Sequence, residues 1–281
     1  MIKRTVAKVI RNDYKRKKVI VLLGARQVGK STLLSELSSK NDKILFLNCD
    51  DMDDVLALEG KTSTELKNLL SPYTLVFIDE AQRIKNIGLV LKMIGDLKLS
   101  TKIVVTGSSS LELANEINEP ATGRLIEHHL YPLSLSELAN HTSEREENRL
   151  LPVRMIYGFY PEVVTEPDDA KRILMNLTNS YLYKDLFAYK GIKKPDLLQK
   201  LVRALALQLG SEVSYNELSN LLGVDRGTVE SYIGLLEKCF VVFRLDSFSR
   251  NLRNEMKKGK KIYFYDNGIR NAVLSNFAPL E

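Results

Sequence analysis

The segment Gly24-Ala25-Arg26-Gln27-Val28-Gly29-Lys30-Ser31 has the spacing G-x-x-x-x-G-K-S. Glycines at these positions let a loop turn its backbone N–H groups toward one point, and the lysine brings a positive charge to it. That chemistry suits a polyphosphate. Amides from Gly24, Ala25, Arg26, Gln27, Val28, Gly29 and on to Thr32 would cradle it, Lys30 would reach the β- and γ-phosphates, and the Ser31 hydroxyl would serve Mg²⁺. Downstream, Thr74-Leu75-Val76-Phe77-Ile78-Asp79-Glu80 is an apolar run that ends in two carboxylates. Asp79 reads as the Mg²⁺-side carboxylate, and Glu80 as the group that orients or deprotonates an attacking water.

These residues need a scaffold that brings a loop and a strand end to one edge. Lys18 to Leu23 is a continuous apolar run of strand length, and Ser31 to Leu37 has helical apolar spacing, so the loop joins a buried strand to a helix N-terminus. Ile44 to Cys49, Tyr73 to Ile78 and Lys102 to Gly107 read as further strands, with helices expected near Thr64–Leu70 and Gly88–Leu97. Strands alternating with helices predict an α/β fold, a doubly wound parallel sheet in which the strand carrying Asp79 ends at the edge that holds the loop.

From Ser134 onward the pattern turns helical, over Glu144–Tyr157 and Asp169–Tyr189, with a break at Gly158-Phe159-Tyr160-Pro161. Lys193-Lys194-Pro195 reads as a boundary. Beyond it, Leu197–Leu209, Tyr215–Leu222 and Gly227–Phe240 are expected helices, and Val241–Leu245 and Lys261–Tyr265 expected strands. Three helices followed by a β-hairpin is the order of a winged helix, and the Gly223 turn suits a helix-turn-helix. Arg226 and Thr228 would begin its reading helix. Arg250, Arg253, Lys257, Lys258, Lys260 and Lys261 would sit in or near the wing. Such modules serve DNA, protein partners or a lid role, and the spacing does not choose among them.

The 281 residues suffice for two domains, and 44% hydrophobic with 27% charged residues is ordinary for a globular protein. No apolar run reaches membrane-spanning length and the N-terminus lacks a secretion signal, so a cytoplasmic protein without membrane partners is expected. Cys49 and Cys239 are far apart and read as reduced thiols. The net charge of +6 is uneven: residues 190–270 carry 15 Lys and Arg against 9 Asp and Glu, and the remainder balances to zero. That asymmetry hints at an acidic partner for the C-terminal third. Asp50-Asp51-Met52-Asp53-Asp54 lacks calcium-loop spacing and reads as a solvated acidic turn, with Asp50 near the Mg²⁺ edge. His128 and His129 are adjacent, point to opposite faces of a strand, and read as structural.

Taken together, G-A-R-Q-V-G-K-S, L-V-F-I-D-E-A-Q-R-I, V-V-T-G-S-S-S, T-G-R-L-I-E-H-H-L-Y-P-L-S-L-S-E, G-F-Y-P-E-V, Y-L-Y-K-D-L and K-I-Y-F-Y-D-N-G-I resemble a family of prokaryotic AAA-type P-loop ATPases that carry a winged-helix segment. The resemblance spans nearly the whole chain. It implies ATP as ligand, Mg²⁺ as cofactor, ATP hydrolysis as activity and homo-oligomerisation as an option. It also implies an ATPase core over residues 1–140, a helical lid over 141–192 and a winged-helix domain over 193–281, with DNA or protein as partner of the last. Ser108 would match the sensor of the γ-phosphate. Arg124 would match an arginine acting on the γ-phosphate in its own or a neighbouring subunit, or else would anchor the next strand by a salt bridge. Members of the family usually continue into a nuclease-like region. The chain ends at Glu281, so no nuclease chemistry is expected from it.

Overall fold

The computed structural model describes residues 1–107, 123–180, 194–246 and 260–280. They form two compact units, residues 1–131 and 132–281.

The first unit is a parallel sheet wrapped by helices. Its elements are α1 (Thr5–Asp13), β1 (Val19–Gly24), α2 (Lys30–Leu37), β2 (Ile44–Asn48), α3 (Met52–Leu58), α4 (Ser63–Leu70), β3 (Leu75–Asp79), α5 (Ile87–Asp96), β4 (Lys102–Gly107) and β5 (Leu125–Leu130). The strand order is β2-β3-β4-β1-β5, all parallel. β1 and β3 are buried along their whole length, as their unbroken apolar sequences require when helices cover both faces. The parallel order places the C-terminal ends of β1, β3 and β4 on one edge.

The acidic run after β2 is a helix start, where a solvated turn was expected. Asp51 caps α3 by accepting from the Asp53 N–H (3.0 Å), and Asp54 accepts from the Asn48 N–H (2.7 Å). Asp50 pairs with Arg83 (3.2 Å). The acids satisfy donors that a strand end and a helix N-terminus leave open. His128 bonds Asp13 (3.0 Å) and so joins α1 to β5, and His129 bonds Glu127 (2.7 Å).

The second unit holds α6 (Leu135–His141), α7 (Glu144–Tyr157), α8 (Pro161–Thr165), α9 (Ala170–Leu177), α10 (Pro195–Leu207), β6 (Glu212–Val213), α11 (Tyr215–Leu222), α12 (Arg226–Lys238), β7 (Val242–Leu245), β8 (Lys260–Phe264) and α13 (Asn267–Leu274). The expected hairpin is part of a three-stranded antiparallel sheet, β6-β8-β7, because the two-residue β6 adds to β8. α13 was not expected from the sequence, and it packs against α7, α9 and α10.

One joint in this unit explains two of the sequence motifs. The buried Asp266 carboxylate accepts from the N–H of Phe159 (2.7 Å) and of Ile269 (3.1 Å), capping α13 and holding the turn after α7. Burial pushes its pKa up to about 6, against the pull of these amides. The folded value lies above the ordinary carboxylate value, so this group costs the fold stability as pH rises from about 4 through 6. Gly158 has φ +75°, and a Cβ there would lie 2.1 Å from Asp266 Oδ1. Gly158→Ala is therefore expected to destabilise the protein by about 2–4 kcal/mol, read as a lower urea midpoint. An unchanged midpoint would remove the joint from the account.

Candidate nucleotide site

Gly24 ends β1, and a Cβ on it would lie 2.4 Å from the Leu130 carbonyl oxygen of β5, so only hydrogen fits. The loop then turns through Gln27 (φ +59°) and Gly29 (φ +92°), and α2 begins at Lys30. Among the described residues no side chain caps α2, which leaves its first-turn N–H groups directed at the loop. Ala25 and Val28 are buried under the loop, and Arg26, Gln27, Ser31 and Thr32 are exposed.

Lys30 is 6% exposed, and its Nζ donates to the carbonyls of Gly24 (3.1 Å) and Ala25 (3.0 Å). Burial depresses its pKa, and the nearby carboxylates of Glu80 and Asp79 oppose that shift. A desolvated ammonium resting on neutral carbonyls inside a ring of amides is a site prepared for a polyanion.

Asp79 ends β3 opposite the loop. Its Oδ2 accepts from Ser31 Oγ (2.8 Å), and its Oδ1 accepts from Thr106 Oγ1. Ser31 and Asp79 thus meet across 48 residues, as the two motifs require for a shared cation. Hard oxygen donors of this kind suit Mg²⁺. Glu80 follows with φ +54°, a conformation uncommon for a residue with a side chain, and Gln82 Nε2 donates to its carboxylate.

Two residues that hold this arrangement escaped the sequence reading. Thr106 is fully buried in β4; its hydroxyl donates to Asp79 and accepts from the Glu80 N–H (3.2 Å), so one side chain orients the Asp79 carboxylate and pins the Glu80 backbone. A lone hydroxyl in the apolar run Ile103-Val104-Val105-Thr106 was the available signal. Arg4 is buried ahead of α1. Its guanidinium donates to the carbonyls of Val28 (2.8 Å) and Tyr131 (2.5 Å), bracing the loop from behind. Thr106→Val keeps the shape and removes the hydroxyl. It is expected to raise the Mg²⁺ concentration for half-maximal turnover about tenfold, with Thr106→Ser near wild type. An unchanged Mg²⁺ requirement would show that Asp79 needs no such support.

Ser108 lies outside the described residues. Arg124 precedes β5, and the parallel register pairs Val19 with Leu125 and Gly24 with Leu130. It therefore stands at the opposite edge of the sheet from the loop, about 20 Å away at some 3.3 Å per strand residue. That distance excludes action on a phosphate bound in its own unit. Instead its Nε bonds Asp96 at the end of α5 (2.5 Å), its carbonyl accepts from the Val19 N–H (3.2 Å), and a Cβ on Gly95 would press on it.

Residues 16–139 match a family model described as an AAA domain, and residues 148–280 match one described as a domain of unknown function, DUF8612. The chain is similar to an uncharacterized protein of Haemophilus influenzae, at 26% identity over 89% of this chain and 68% of that one. An uncharacterized protein of Methanocaldococcus jannaschii is 25% identical over 97% of this chain and 65% of its own length. The chain thus spans about two-thirds of the length of these relatives. Among solved structures, the Walker-type ATPase PABY2304 of Pyrococcus abyssi superposes with a TM-score of 0.64 at 16% identity, covering 98% of this chain and 96% of that one. The likeness shows a common fold, and the parallel five-stranded sheet of the first unit is a P-loop domain. Among the described residues no helix is long and apolar enough to cross a membrane.

Proposed function

We propose that the chain is a Mg²⁺-dependent ATPase that hydrolyses ATP at the loop of the first unit and uses the cycle to drive or gate a movement of residues 193–281. The observation that supports this most is the Asp79 carboxylate bonded to the Ser31 hydroxyl beside the buried ammonium of Lys30. The loop amides and Lys30 bind and neutralise the phosphate tail. Ser31 and Asp79 would hold Mg²⁺, which would supply charge stabilisation to the phosphate tail. Glu80 orients the water that attacks the γ-phosphorus and takes its proton as the bond to the β-phosphate oxygen breaks, releasing ADP and phosphate. Ser108 is assigned to sensing the γ-phosphate. Arg124 is assigned to anchoring β5 through Asp96, and it would act on a phosphate only across an interface with a second copy.

In the same reading, residues 141–192 form a lid. Residues 193–281 form a winged helix made of α10, α11, α12 and the sheet β6-β8-β7, with DNA or protein as its partner. A slow nucleotide-gated switch is the second reading. It is favoured by the Glu80 carboxylate being engaged by Gln82, which must let go before a water can be oriented. Phosphate release from Mg·ATP by the full chain tests the proposal. Many turnovers per chain, abolished by EDTA, are expected; about one turnover per chain supports the switch, and none at any Mg²⁺ concentration overturns hydrolysis.

A further inference from the structure

The even charge balance outside the C-terminal third conceals a local excess. Residues 1–18 hold eight Lys and Arg against a single Asp. Seven of them are exposed, and six of these, from Lys8 to Lys18, follow one another along α1 and the turn after it as a basic strip of the first unit, whereas Arg4 is buried behind the loop. α1 buries Ala7, Ile10 and Asp13 and leaves Lys8 and Arg11 exposed, three residues apart on the helix surface. Lys15, Arg16, Lys17 and Lys18 follow through a short 3-10 turn, all exposed. Followed along the chain, at 1.5 Å per α-helical, 2 Å per 3-10 and about 3.3 Å per further residue, the strip is at most about 20 Å long.

The neighbouring acids cancel only part of this charge. Asp13 is buried, against Arg16 (3.0 Å) and His128 (3.0 Å). Glu36 of α2 accepts the Arg4 backbone N–H (3.3 Å), and Glu127 of β5 bonds His129 (2.7 Å). Among the described residues Lys8, Lys15, Lys17 and Lys18 form no ion pair. Crowded like charges cost the folded state free energy, and among the described residues the Arg16–Asp13 pair offsets only part of it.

We propose that this strip binds the phosphate backbone of duplex nucleic acid without regard to base sequence. A duplex presents about one charge per 1.7 Å with both strands counted, so a strip of at most about 20 Å faces about half a dozen phosphates on one side of it. A membrane surface fits less well, because an interfacial helix needs a free apolar face and that of α1 is spent inside the unit. The helix pair α11–α12 is the other place to look, but residues 212–246 carry six Asp and Glu against three Lys and Arg.

Anisotropy of a labelled 24-base-pair duplex, titrated with the full chain at several salt concentrations, tests this. The probe variant is Lys8→Gln/Lys15→Gln/Lys17→Gln/Lys18→Gln, and the control is Lys61→Gln/Lys67→Gln/Lys85→Gln/Lys98→Gln. Each phosphate contact adds about fivefold to affinity near 0.15 M salt, from a slope of about 0.9 per contact. The probe variant is expected to bind at least about thirtyfold more weakly with a shallower salt slope, two different duplex sequences to bind alike, and the control to match wild type. No duplex binding by wild type, equal loss in probe and control, or tighter binding to phosphatidylserine vesicles than to duplex would each overturn the proposal.

Discussion

Lys30→Ala is expected to abolish nucleotide-dependent turnover, with kcat/KM falling at least about a thousandfold. The loop amides survive the change, but the charge that offsets the phosphate tail does not. The same geometry makes a second, opposite expectation. The ammonium is 6% exposed, rests on two carbonyls and has a depressed pKa, so holding it charged costs the empty fold. Lys30→Met fills the same volume without the charge and is expected to melt at or above the wild-type temperature while losing activity. Lost activity with a lowered melting point would mean that Lys30 is structural, and retained activity would remove it from the site.

Glu80→Gln is expected to separate binding from hydrolysis. The backbone bond from the Glu80 N–H to Thr106 is unaffected by the side-chain change, and glutamine keeps the length needed to meet Gln82. Mg·ATP affinity should stay within a few-fold of wild type, or rise slightly as one negative charge near the phosphates is lost. Turnover should fall by about 10²–10⁴, the usual contribution of a placed general base. Stopped-flow nucleotide binding beside steady-state phosphate release measures both. Equal loss of affinity and rate would instead make Glu80 a binding group.

The parts of the site legible in the sequence are those whose chemistry is local. The loop is eight consecutive residues between a strand and a helix, and the acids stand at the end of an apolar run. Their meeting follows once the sheet is parallel. Thr106 and Arg4 were missed because they act on Asp79 and Val28 across 27 and 24 residues; a lone hydroxyl in an apolar run marks Thr106 as unusual without naming its partner, and nothing local marks Arg4. Arg124 shows the reverse case. Its motif allowed either the phosphate or a salt bridge anchoring the next strand, and the register of β5 against β1 carries it to the far edge, beside Asp96. The acidic run after β2 concealed a helix because Asp51 within it is the helix cap, and α13 stayed hidden because it buries only Gly268, Ile269 and Ala272. The motif Tyr263-Phe264-Tyr265-Asp266-Asn267-Gly268 carries a joint rather than a reaction, which only the contact of Asp266 with Phe159 reveals.

Titration calorimetry of the folded full chain with ATP and Mg²⁺ tests the central claim most directly. A saturable heat with one site per chain, lost in Lys30→Ala and weakened when Mg²⁺ is removed, is the expected result. No heat from ATP or GTP with Mg²⁺, on protein shown to be folded by its thermal transition, would contradict it.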